Sequence, residues 1–178
     1  MDASTAIGGL RWDRYTQWAI AICVALLVVR LVVALTHPAY LGVDGGAYEL
    51  GTKLLLGWIH LPQQLDFTRP PLAPGLLLAP FLAWFGDDKG YKIWEAVFSV
   101  FPFLPAAYLL ASRILAPKRA VIAILFLAVN PWHWEIFVTG VLPLIAISLL
   151  FLVLWGLLAV VEDKAGVWDK VAIVGGIA

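Results

Sequence analysis

Long apolar runs alternate with short polar breaks along the chain, and the runs set the elements. The first, residues 15–36, holds one charge, Arg30. A helix needs about 20 apolar residues to cross a bilayer, so this run predicts a first span. Residues 91–112 and 119–137 predict a second and a third. The fourth, 138–161, carries no charge. Polar breaks between the later runs are short, so neighbouring spans form antiparallel hairpins. The expected fold is all-α: a polytopic transmembrane helix bundle with a long first external loop, about residues 37–90, containing short interfacial helices.

One run is ambiguous. Residues 70–86, "PPLAPGLLLAPFLAWFG", are uncharged but contain Pro70, Pro71, Pro74 and Pro80. Each proline removes a backbone donor, and Pro80 would interrupt a helix interior. The run also sits at the short end of the spanning range. It is expected to be interfacial or re-entrant rather than spanning. Orientation then follows from the cations. Arg11 and Arg14 flank the first run closely, and the first helix usually dominates orientation. The N-terminus is expected to be cytoplasmic and the first loop external, in a plasma membrane. In this arrangement seven Lys and Arg (Arg11, Arg14, Arg113, Lys118, Arg119, Lys164, Lys170) lie inside and four (Lys53, Arg69, Lys89, Lys92) outside. A further apolar run begins after Lys170. It predicts a truncated span, an N-terminal piece of a longer protein, and a product inactive alone.

Composition sharpens the class. The chain is 62% hydrophobic and 13% charged, against about half and a quarter in soluble domains. Its mean hydropathy is +0.92. Net charge is zero, so no basic face argues for nucleic acid. Nine Trp and five Tyr suit the headgroup belt of a membrane protein. The one cysteine, Cys23, lies inside the first run and has no internal partner. His37, His60 and His133 lack paired zinc spacing. No G-x-S-x-G, Walker loop or dinucleotide fingerprint occurs. No metal and no cofactor are expected.

Chemistry concentrates in the first loop. In "VDGGAYELGTKLLLGW" Asp44 precedes a helical stretch, 46–56, and so reads as an N-cap or as a catalytic acid at the water boundary. Tyr48 lies one turn on and would share its face. Arg69, in "DFTRPPLAPG", is held extended by Pro70. It reads as a snorkelling cation or as a bidentate phosphate clamp. Arg30 must snorkel, pair or face a polar cavity, with Asp44 and Glu95 as candidate partners. "NPWHWEIFVTG" places His133 and Glu135 at the external boundary, among tryptophans that read as belt anchors.

Taken in order, "VDGGAYELGTKLLLG", "TRPPLAPGLLLAPFLAWFG", "AYLLASRIL" and "RAVIAILFLAVNPW" resemble the type C membrane glycosyltransferases. The likeness is to glycosyltransferase family 39, the branch of protein O-mannosyltransferases and the aminoarabinose transferase of lipid A. It covers about residues 15–160. It implies a cell-envelope enzyme that moves a sugar from a polyprenyl-phosphate donor to a lipid, glycan or protein acceptor on the external or lumenal face. The family's catalytic acid maps onto Asp44, and the Arg or His before its Pro-Pro pair onto Arg69. Tyr48, Glu49, Arg69, His133 and Glu135 form the expected substrate-binding set. The family's second acid would fall near Leu142 or Pro143, neither of which is acidic; Glu135 is the nearest acid. A second class stays open: half of a secondary transporter or lipid-linked sugar flippase, which broken helices and an intramembrane Arg30 would suit.

Overall fold

A computed structural model describes residues 13–36, 52–53, 57, 72–134, 142–162 and 173. The described elements are all helical. They run α1 (Arg14–Thr36), α2 (Leu72–Phe85), α3 (Asp87–Val100), α4 (Phe103–Ile114), α5 (Pro117–Val129) and α6 (Leu142–Val161). Three stretches are long and apolar enough to cross a membrane: Arg14–Thr36, Lys89–Ile114 and Leu142–Val161. The protein is an all-α membrane helix bundle.

Three of the boundaries have a clear local cause. Asp13 Oδ1 accepts the N–H groups of Tyr15 and Thr16, both at 3.0 Å, and starts α1. α3 stops because Phe101 precedes a proline and takes an extended conformation, φ −95° and ψ 123°. The stretch Lys89–Ile114 is therefore two helices that meet at Phe101–Pro102. Asn130 also precedes a proline and is extended, φ −65° and ψ 126°. The expected run 119–137 accordingly divides into α5 and a second helical turn at 131–134.

α2 and α3 form a tight hairpin. Gly86 turns the chain at φ 79° and ψ 174°, a region almost reserved for glycine. Four residues on, Gly90 lies against the backbone of α2: a Cβ there would fall 2.5 Å from the Phe81 carbonyl oxygen. Leu78 and Leu82 of α2 then pack on Tyr91 and Trp94 of α3, with Leu142 and Ile145 of α6 against them. At about 1.5 Å per residue, fourteen-residue α2 spans some 21 Å, less than the ~30 Å hydrocarbon core.

The main core joins α1, the end of α3, α4, α5 and the start of α6. Ala19 and Cys23 on α1, and Ala120, Ile124 and Ala128 on α5, recur at helical spacing on buried stripes. Small residues let helix backbones approach where lipid supplies no hydrophobic drive. The opposite faces carry Trp18, Val24, Val28, Phe126 and Leu150 into the surroundings. Such a belt would aggregate in water but is matched to hydrocarbon.

Candidate functional site

A buried polar cluster forms around Arg30. The buried stripe of α1 is Thr16, Ala19, Cys23, Leu26 and Arg30, so helical phase carries the guanidinium into the packed face. Arg30 is fully buried. One of its terminal nitrogens donates to His133 Nδ1 at 3.1 Å and to the His133 carbonyl at 3.3 Å. Its guanidinium also lies 4.8 Å from the centre of the Trp134 ring, a cation–π distance.

His133 is delivered by the sequence "NPWH". Asn130 Oδ1 accepts the Trp132 N–H at 2.9 Å, and its carbonyl accepts from His133 N–H at 3.1 Å. Asparagine as a cap with proline at the first helical position is a strong start signal. The turn so begun points the imidazole inward. Its second nitrogen, Nε2, lies 2.9 Å from the Ser99 carbonyl, and Phe103 stacks on the ring with centroids 4.9 Å apart.

Hydrogen-bond roles fix the tautomer. A guanidinium only donates, so Nδ1 accepts; a carbonyl only accepts, so Nε2 carries the proton. His133 is therefore a neutral Nε2–H imidazole. In that tautomer the imidazole bridges Arg30 of α1 to the Ser99 carbonyl of α3.

A second polar group lies one turn earlier on α3. Glu95 is 7% exposed. Tyr91 hydrogen-bonds its side chain, while Oε1 has no hydrogen-bond partner. Glu95 and Ser99 are four apart and share a helix face. Among the described residues no cluster of three His, Cys, Asp or Glu is placed for a metal.

Of the expected site residues, His133 alone is described. Asp44, Tyr48, Glu49, Arg69 and Glu135 lie outside the described residues. The structure does locate the ends of two motifs. Lys53, just past "VDGGAYELG", pairs with Asp87, just past the proline-rich helix, at 2.6 Å. Thr52 beside it is fully buried. Sequence reasoning did not anticipate this contact, nor the union of Arg30, Ser99 and His133. The Asn-Pro start signal before His133 was the one local clue. Comparison of the chain with protein-family models, curated proteins and solved structures gives no match.

Proposed function

We propose that the chain belongs to a membrane glycosyltransferase that uses a polyprenyl-phosphate sugar as donor. The observation that supports this reading most is the Lys53–Asp87 contact. It ties the segment following Asp44 to the end of the segment following Arg69. In a transferase of this kind those two motifs serve one site. Asp44 takes the proton of the acceptor hydroxyl as that oxygen bonds to the sugar's anomeric carbon. The bond from that carbon to the phosphate oxygen breaks, and polyprenyl phosphate departs. Arg69 holds the phosphate through its guanidinium fork. The phosphate is already a good leaving group, so a base, a cation and a dry pocket suffice.

The test is Asp44→Asn. Asparagine caps a helix about as well as aspartate, so membrane insertion and melting temperature should hold. Sugar transfer from a polyprenyl-phosphate donor should fall at least ~10²-fold, the lower range for positioned acid–base catalysis. A normal rate would reduce Asp44 to a cap. The transporter reading draws on one observation, the helix break at Phe101–Pro102 near the buried Arg30–Ser99 cluster. It predicts movement of a lipid-linked sugar across vesicles with no acceptor present, and no transfer product.

A further inference from the structure

An apolar groove runs between α4, α5 and α6. It encloses about 270 Å³ and is lined by Ala107 and Ala111 of α4, Leu115 just past its end, Ala123 and Leu127 of α5 and Phe151 of α6, among other apolar residues. Along α4 it extends from Ala107 to Ile114, about 10 Å of helix. That lies within the ~15 Å depth of one leaflet's hydrocarbon. The groove starts at the turn joining α4 to α5. This end has interfacial character, because Arg113 sits 4.8 Å over the Trp155 ring and 3.8 Å from Glu162.

Charge lies at its mouth. Arg119, Ala123 and Leu127 are spaced four apart, so they form one stripe along α5. Two of them line the groove, and Arg119 is the next position beyond its end. Helical side chains lean toward their own N-terminus, which carries the Arg119 head outward to headgroup level. Lys118 precedes it on the first turn of α5. Both are exposed, and neither makes an ion pair among the described residues, whereas Arg113 is engaged.

We propose that this groove binds an anionic glycerophospholipid, with one acyl chain between α4 and α5 and its phosphate on Arg119 and Lys118. An apolar slot alone would take any chain. The two cations at its open end select the headgroup. The site is separate from the Arg30–His133 cluster, which lies past the opposite end of α5, and it does not depend on the transferase reading.

The experiment is native mass spectrometry of the protein released from detergent containing equal phosphatidylglycerol and phosphatidylethanolamine with identical acyl chains. The wild type should retain phosphatidylglycerol preferentially. Lys118→Gln and Arg119→Gln should each cut that preference roughly fivefold, the effect of one cation near an anionic lipid surface. Both residues are exposed, so this arm does not rest on core packing. Ala123→Phe should fill the slot and lower retention of both lipids alike. Equal retention of the two lipids by the wild type would overturn the proposal. So would unchanged lipid counts in Ala123→Phe, which would mean that another chain segment or a second copy occupies the groove.

Discussion

Arg30 brings a permanent charge into a face otherwise built from Ala19, Cys23 and Leu26. An isolated charge at that depth is costly, so its hydrogen bonds matter more than surface ones would. His133 contributes an acceptor at Nδ1 and its own carbonyl. Removing the ring as His133→Ala should destabilise the protein by about 1.5–3 kcal/mol, the range for a hydrogen bond to a charged group. His133→Gln should lose less, because an amide can accept from Arg30 and donate toward Ser99. Thermal unfolding in detergent reads the difference. Equal losses in the two variants would assign the role to packing on Phe103 instead.

At the scale of elements, the α2–α3 hairpin is the most demanding piece. Its turn needs a glycine backbone at 86, and its crossing needs a glycine volume at 90. The atoms a Cβ at Gly90 would meet are backbone atoms of Phe81 and Leu82, at 2.5 to 2.9 Å. They cannot rotate away as a side chain can. Gly90→Ala should therefore cost about 1–3 kcal/mol, as overpacking does, although alanine is the better helix former. A melting temperature equal to or above that of wild type would show that the two helices do not pack at this distance. The same hairpin presents Asp87 to Lys53, so its loosening should also release the segment that carries the proposed acid.

At the scale of the whole molecule, the ends of the helices sort into two groups. Arg113 and Glu162 meet at one end, linking the close of α4 to the close of α6. Arg30, Ser99 and His133 meet toward the other. With the N-terminus inside, Lys89 should be outside and Glu162 inside. Cys23 is the one cysteine and is 4% exposed, so a cysteineless background is scarcely needed. Lys89→Cys should react with a membrane-impermeant maleimide in intact cells. Glu162→Cys should react only after permeabilisation. The reverse pattern would invert the orientation and place the first loop away from an external acceptor.

The apolar runs by themselves determined that this is a helical membrane protein. Run length and the absence of charge in a stretch such as 138–161 leave a transmembrane helix as the solution that satisfies its own backbone in lipid. Some local chemistry acts through neighbours in sequence, with Asp13 capping α1 and proline after Phe101 and Asn130 ending α3 and α5, yet the apolar pattern alone ran 91–112 and 119–137 as unbroken spans. What the sequence could not reveal was which face of each helix turns inward. A helix apolar all round has no polar stripe to mark its outer side, so nothing in residues 15–36 says that Arg30 lies on the stripe of Ala19 and Cys23. Its meeting with His133 joins residues 103 positions apart. Lys53 and Asp87 likewise meet across 34 positions of sequence. Those pairings depend on interhelical packing, where a few ångströms of backbone approach decide which polar groups can reach one another, and only the tertiary structure sets that distance.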